Sequence, residues 1–226
     1  MAEDRTPRRR LRDSDATRER ILKAALREFA AKGLGGARVD EIAERADANK
    51  RMIYHYFGSK DDLFRIVVEN AYAKLRAAEA RLNLDALDPE EALAKLVAFT
   101  FEYYIRHPEF VVLVNSANLH KARHVRDSEA FRKVNTGYVS LTERLLARGV
   151  AAGRFRPDVD PVQLTMTIAA VGFYYFTNRH TLSIIFGRDL KSKEQLAQRL
   201  RFNVDSILRI VRIDPAAPAV DGPGKG

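Results

Sequence analysis

Residues 37–60, ARVDEIAERADANKRMIYHYFGSK, constrain the fold of this chain more than any other stretch. The first half carries apolar residues at steps of three and four: Val39, Ile42, Ala43 and Ala46. This spacing places them on one face of a helix. The segment 47–49 then interrupts the pattern, and Asn49 is a favourable N-cap for a following helix. The stretch predicts two short helices joined by a tight turn.

The second of these helices, from Lys50 to Tyr56, is about two turns or roughly 10 Å long. Ile53 and Phe57 fall on one side of it. Its other side carries two cations, a phenol and an imidazole, namely Lys50, Arg51, Tyr54 and His55. Such groups can bond phosphates and base edges in a major groove. A helix-turn-helix presents its second helix to DNA in this way; the alternative is a solvated helix with two aromatic residues at its rim.

The segment IYHYF at residues 53–57, followed by Ser59, Lys60 and the acidic-apolar DDLF, resembles the DNA-binding domain of the TetR family of transcriptional regulators. The resemblance implies a sequence-specific, ligand-responsive regulator, expected to be a repressor or, alternatively, an activator. It implies that the base-facing residues are Lys50, Arg51, Tyr54 and His55. It also implies that Asn49, Tyr56 and Lys60 hold phosphates.

Two positions depart from the family pattern. The family usually has Thr or Ser where Ala37 and Arg38 stand, so the expected hydroxyl cap is missing and we expect Arg38 to replace its phosphate contact. The family turn usually has Gly where Asp47 stands. Asp47 is therefore expected to adopt a left-handed backbone conformation, which Asp tolerates better than most residues.

The composition limits the class of protein. Of 226 residues, 46% are hydrophobic and 31% charged, as in ordinary globular proteins. The chain has no cysteine, so it has neither a disulfide framework nor a thiolate metal site. It has no long apolar run and no signal segment, so it is expected to be cytoplasmic. The net charge is +9, of which the first 60 residues carry +5. An excess of positive charge in the first quarter is typical of nucleic-acid binding.

The remaining pattern is helical throughout, and we expect an all-α fold of about nine helices. The expected units are a disordered basic arm at 1–13, the helix-turn-helix domain at 14–60, a helical ligand-binding and dimerisation domain at 61–213, and a disordered tail at 214–226. The five arginines of the arm suit either a solvated tail or contacts with DNA phosphates and the minor groove. Single helices are expected over 128–151, 161–181 and 192–212.

Those last two helices carry long apolar stripes. In the family that the chain resembles, they form a four-helix interface between two subunits, so a homodimer on a palindromic double-stranded DNA operator is expected. Two short recognition helices at a fixed separation can read such a palindrome. Packing of both helices on their own domain is the alternative.

The family resemblance also implies a pocket for a small-molecule effector among the central helices. Candidates are aromatic or amide side chains on apolar faces: Phe101, Tyr104, Phe110, Asn115, Asn118, Phe173, Tyr174 and Asn178. Each aromatic residue could equally be core, and each Asn a helix cap. The segment 174–178 resembles regulators of the catabolism of nitrogen heterocycles or aromatic acids, so an aromatic or heterocyclic effector is expected. The helix that begins at Lys60 is expected to link this pocket to the DNA.

The sequence leaves three other classes of protein as alternatives. An enzyme is disfavoured, since the sequence has no phosphate loop and no nucleophile elbow. A metal-responsive regulator could use His120, His124 and Asp127, but neighbouring cations would repel a divalent ion. We therefore expect no metal and no cofactor. A protein that coats DNA without sequence preference is the third alternative. Contact with a membrane is not expected.

Overall fold

The computed structural model describes the backbone of residues 7–213 and the side chains of residues 14–213. The described chain is all-α, as the sequence predicted. Its helices are α1 Pro7–Gly36, α2 Val39–Arg45, α3 Lys50–Phe57, α4 Lys60–Glu79, α5 Pro89–Arg106, α6 Pro108–Leu119, α7 Glu129–Asn135, α8 Tyr138–Ala151, α9 Pro161–Phe186 and α10 Lys193–Val211, with a short 3-10 helix at Leu84–Ala86.

Three boundaries differ from the sequence prediction. Residues 7–13, expected in an unstructured arm, continue α1 as helix, because arginine is a good helix former and Pro suits a first turn. The single helix expected over 128–151 is two helices, separated at Thr136 and Gly137, and α9 runs on to Phe186. Residues 1–6 and the expected tail at 214–226 lie outside the described residues.

The helix ends follow local chemistry. Ser59 caps α4 by accepting a hydrogen bond from the amide of Asp62 at 3.0 Å. Asp88 caps α5 in the same way through the amide of Glu90 at 2.9 Å, with Pro89 in the first turn. Gly33, at φ +64°, interrupts the helical geometry near the end of α1. These caps were readable in the sequence because each needs only neighbouring residues.

The N-terminal core extends beyond the helix-turn-helix segment. Ile21 and Phe29 of α1, Ile42 of α2 and Ile53 of α3 are buried together. The same cluster contains residues from α6 and the turn after it: Leu113, Ala117 and Val125. In addition, the hydroxyl of Ser116 accepts a hydrogen bond from the amide of Leu34 at 3.1 Å. Helix α6 is therefore part of the core of the N-terminal domain.

The other helices form two further cores. One joins α5, α8, α9 and α10 around Leu93, Phe155 and Ile207. The other is aromatic and joins α4, α5, α6 and α9. No helix within residues 7–213 combines the length and apolar character that crossing a bilayer requires.

A close contact in the core around Leu93, Phe155 and Ile207 depends on a glycine. A Cβ built at Gly149 of α8 would lie 1.8 Å from a ring carbon of Phe155, which is buried. Phe155 in turn forms an isolated bridge with Arg212 just after α10. This backbone bridge and the packing of the ring in one core with Ile207 and Val211 fix the turn after α8 to the last helix.

We expect Gly149→Ala to lower the free energy of unfolding by about 1–3 kcal/mol, because the added methyl must displace the ring of Phe155. Gly137→Ala is the matched control, since a Cβ there would have no atom within 4 Å. Urea denaturation at one protein concentration measures both. Equal stability of the two variants would contradict this account of the contact.

Candidate DNA-binding interface and effector site

The turn before α3 has the geometry that the sequence predicted. Asp47 has a φ of +49°, in the left-handed region. The side-chain oxygen of Asn49 accepts a hydrogen bond from the amide of Met52 at 2.8 Å and so caps α3. Together these residues fix the angle at which α3 leaves α2.

Helix α3 divides into a buried and an exposed face. Ile53 and Phe57 are 1% and 5% exposed and face the N-terminal core. The side chains that were expected to face the bases are all exposed: Lys50, Arg51, Tyr54 and His55. Arg51 has no hydrogen-bond or ion-pair partner among the described residues. A cation, a phenol and an imidazole are therefore available on one short helix for contact with a groove.

Lys50 differs from Arg51 because it is already paired. Its ammonium group lies 2.9 Å and 3.2 Å from the two carboxylate oxygens of Asp40, near the start of α2. The hydrogen bond and charge of Asp40 raise the pKa of Lys50. Lys50 must share or exchange this partner to contact a phosphate or a base. The sequence did not reveal the pair, because it joins two helices across the turn.

The residues expected to hold phosphates are tied to the protein scaffold. The hydroxyl of Tyr56 lies 3.1 Å from that of Ser14 on α1. The ammonium group of Lys60 donates to the carbonyl of Ala37 at 3.0 Å. Arg38 is exposed and precedes α2, but its side chain makes no capping hydrogen bond. Its guanidinium therefore does not take over the missing hydroxyl cap, and its phosphate contact stays a prediction.

A buried carboxylate, which sequence reasoning missed, orients this unit. Glu28 of α1 is buried and accepts hydrogen bonds from Lys32 at 2.8 Å and from the amide of Arg38 at 3.3 Å. Arg45 of α2 lies 3.7 Å from its second oxygen. Burial raises the pKa of Glu28, but these three partners outweigh it, and the net shift is downward. The ionised carboxylate joins α1, the following turn and α2.

The expected effector residues do not gather around one cavity. Phe101, Tyr104 and Phe110 are at most 4% exposed and pack in the aromatic core. Tyr104 and Asn115 line one cavity of about 160 Å³, with Phe176 and Arg179. Phe110 lines a different cleft.

The remaining candidates are bonded to their own helices or lie outside. Asn118 donates to the carbonyl of Val114, and Asn178 to the carbonyl of Tyr174, as helical Asn residues often do. Tyr174 is 59% exposed on the outer face of α9, and Phe173 is half-buried beside the aromatic core. For most of these residues the structure agrees with a role in packing.

A buried polar cluster lies between α4, α5, α8 and α9 and was not predicted from the sequence. Glu79, 8% exposed, accepts a hydrogen bond from Arg76 at 2.5 Å, and the guanidinium carbon of Arg76 lies 3.7 Å from the ring centre of Tyr138. Glu79 and Tyr138 line a small cavity of about 20 Å³ together with Thr100 and Thr165. Burial raises the pKa of Glu79 to about 7 despite the opposing charge of Arg76.

The sequence held a signal for this cluster. Glu79, the last residue of α4, lies four residues after Leu75, so it places a charge in line with the apolar stripe of this helix. A charge at such a position needs a buried partner. Its partners on α8 and α9 could not be assigned, since the path of those helices was unknown.

The possible metal ligands do not form a site. The ring centroids of His120 and His124 are 6.0 Å apart, and a ring nitrogen of His124 accepts a hydrogen bond from Arg123 at 3.2 Å. Within residues 14–213, no three His, Asp or Glu side chains gather as a ligand set, and Asp127 does not join the two histidines.

Two family models match the chain. Residues 21–67 match bacterial regulatory proteins of the tetR family, and residues 89–207 match the tetracyclin repressor-like C-terminal domain. The chain belongs to the TetR family. This TetR-family chain is therefore a helix-turn-helix transcriptional regulator and not an enzyme. Members of the family bind operator DNA, act as dimers and respond to small molecules.

Similar proteins agree with this assignment. The HTH-type transcriptional repressor NicS of Pseudomonas putida is 43% identical over 203 residues, which cover 90% of this chain and 96% of NicS. The transcriptional regulator SCO4942 of Streptomyces coelicolor has a similar fold, with a TM-score of 0.66 at 24% identity, over 86% of this TetR-family chain and 98% of that one. FadR of Bacillus subtilis, solved with stearoyl-CoA, has a TM-score of 0.62 at 16% identity, over 84% and 97%.

We expect Asp40→Asn to tighten binding to DNA in general, because it releases Lys50 and removes a negative charge beside the phosphates. The dependence of log affinity on log salt concentration should steepen by about 0.9, the value for one added phosphate contact. Fluorescence anisotropy at several salt concentrations measures this. Glu44→Gln is the control: it has the same charge change on the same face of α2, without an ion pair. Equal effects of both variants would contradict a specific role for the pair.

Proposed function

We propose that the protein is a repressor that binds a palindromic operator as a homodimer and leaves it when a small molecule binds. The observation that carries this proposal is the exposed face of α3, with unpaired Arg51 beside Tyr54 and His55 above a buried apolar face. The 43% identity to a named repressor over nearly the whole chain supports repression rather than activation.

The proposed dimer uses α9 and α10. Apolar side chains on α9 recur at steps of four residues and are exposed: Val162, Met166, Ala170 and Tyr174. On α10, Phe202 is 62% exposed and Ile210 is 38% exposed. Apolar stripes on adjacent helices favour burial against a second copy. Such a dimer would place its two α3 helices for successive major grooves, about 34–36 Å apart.

The apolar residues of α10 serve two surfaces. Ile207 and Val211 are fully buried within their own subunit, and Val204 packs partly against the same core. A charge at position 204 or 207 would therefore disturb the subunit itself, so these positions do not test dimerisation. Phe202 is the suitable position.

We place the effector in the polar cluster around Glu79. The cavity there holds about one water molecule, so a larger ligand needs α4, α5, α8 and α9 to separate. A ligand that binds the separated form better shifts the protein towards it. Glu79, Tyr138 and Arg76 offer a carboxyl group, a phenol and a guanidinium, which suit a polar aromatic or heterocyclic effector.

Two helices, α4 and α6, can transmit the separation of helices around the effector to the DNA-binding domain. Helix α4 begins at Lys60, beside α3, and contains Glu79 at its other end. Helix α6 packs in the N-terminal core through Leu113 and contributes Phe110 to the aromatic core. A tilt of either helix would change the separation of the two α3 helices. A coupling of about 1–3 kcal/mol would reduce operator affinity roughly 5- to 150-fold.

The operator can be recovered by selection from random DNA, and a palindromic consensus is expected. Arg51→Ala should then weaken binding to this site by about 1–3 kcal/mol and relax the preference at one base pair in each half-site. Competition binding with single-base variants of the operator measures both effects.

Lys60→Ala is the contrasting variant. It removes a cation held near the expected phosphate contacts, so specific and non-specific binding should weaken alike and the salt dependence should become shallower. If selection yields no discrete site, or if Arg51→Ala leaves both affinity and base preference unchanged, the proposed recognition face is wrong.

For the dimer, we expect Phe202→Glu to yield folded monomers that bind the operator poorly, because the interface would bury a charge in place of an apolar ring. Light scattering after gel filtration gives the mass, and circular dichroism checks the fold. Leu119→Glu is the control, since Leu119 at the end of α6 is 81% exposed and lies on a different surface. A dimeric Phe202→Glu protein would contradict the interface.

A further inference from the structure

A second cleft lies along α4 at residues 67–74 and does not include the cluster around Glu79. It has a volume of about 610 Å³ and is bounded by α1, α4, the end of α5 and the start of α6. This volume is within the range of 300–1,000 Å³ that is typical of small-molecule sites. The cleft lies between the DNA-binding domain and the helical domain. Helix α1 and the first half of α4 belong to the N-terminal core, whereas the end of α5 belongs to the helical domain.

The floor of the cleft is apolar and its rim is cationic. Leu22, Leu26 and Val67 line it from α1 and α4, and the aromatic ring of Phe110 lines it from α6. Its cationic lining residues are Arg18, Lys23 and Lys74. Of these, Lys23 and Lys74 are exposed and have no hydrogen-bond or ion-pair partner among residues 14–213.

The acidic groups of the cleft are fewer, and one of them is engaged. A carboxylate oxygen of Glu109 lies 3.1 Å from a ring nitrogen of His107, whose ring packs against Tyr103 at a centroid distance of 4.2 Å. Glu19 is the other acid that lines the cleft. Burial, followed by the charges of Glu109 and Glu79, raises the pKa of Tyr103 to about 12, so its hydroxyl remains a donor.

We propose that this cleft binds an amphipathic monoanion, a carboxylate or sulfonate on an apolar body, with Lys23 and Lys74 holding the anion and the floor holding the apolar part. Two unpaired ammonium groups above an apolar surface match such a ligand in both charge and polarity. The site is separate from the proposed effector site, and its occupant would contact both domains of the regulator at once.

The probe for the test is 1-anilinonaphthalene-8-sulfonate, an aromatic sulfonate. It is titrated into the full-length protein with labelled Ile, Leu and Val methyl groups. Methyl signals of Leu22, Leu26 and Val67 should shift and saturate together. In Lys23→Glu/Lys74→Glu, the dissociation constant read from these signals should rise roughly tenfold or more. Asn70→Trp, which fills the cleft from an exposed lining position, should abolish the shifts.

Lys95→Glu/Lys193→Glu is the matched control, because both lysines are exposed outside the cleft and this variant changes the net charge by the same amount. Its affinity should equal that of the wild type. The unperturbed methyl spectrum of each variant shows that it is folded. Shifts confined to Leu141 and Ile168 near Glu79, or to Val162 on α9, would overturn the proposal, as would an unchanged affinity in the double variant. None of these readings depends on operator binding or on the proposed effector.

Discussion

The packing of α6 into the N-terminal core is the constraint on which the rest of the structure depends. Leu113 and Ala117 are buried with residues of α1, α2, α3 and α4 in a single cluster, and Ser116 bonds the backbone of Leu34 after the Gly33 kink. The DNA-binding domain is therefore joined to the helical domain by two helices, α4 and α6, and its core is incomplete without α6. A fragment that ended after α4 would expose the apolar surface that α6 covers.

Structure that depends on neighbouring residues could be predicted from the sequence. The caps at Asn49, Ser59 and Asp88 each need one side chain and an amide two or three residues away. The left-handed Asp47 followed from a turn that the family builds with Gly. The division of α3 into a buried and an exposed face followed from helical periodicity, because Ile53 and Phe57 are four residues apart and share one face.

Features that depend on the path of the chain could not be predicted. The Asp40–Lys50 pair, the buried Glu28 and the Glu79 cluster each join separate helices. For the same reason, the sequence could not show that Ile207 faces its own subunit while Phe202 faces outward, although both lie on one amphipathic helix. The aromatic residues expected around an effector mostly stabilise the core, because rings on apolar faces are used for packing far more often than for ligands.

The Asp40–Lys50 pair also bears on how a regulator divides its time along a chromosome. Random DNA outnumbers any one operator by a factor of about 10⁶–10⁹, and attraction to it comes from neutralised phosphates. A lysine whose charge is already compensated contributes less to that indiscriminate attraction than a free one. The protein would therefore dissociate sooner from non-specific DNA. A larger share of its molecules would then be free to reach the operator.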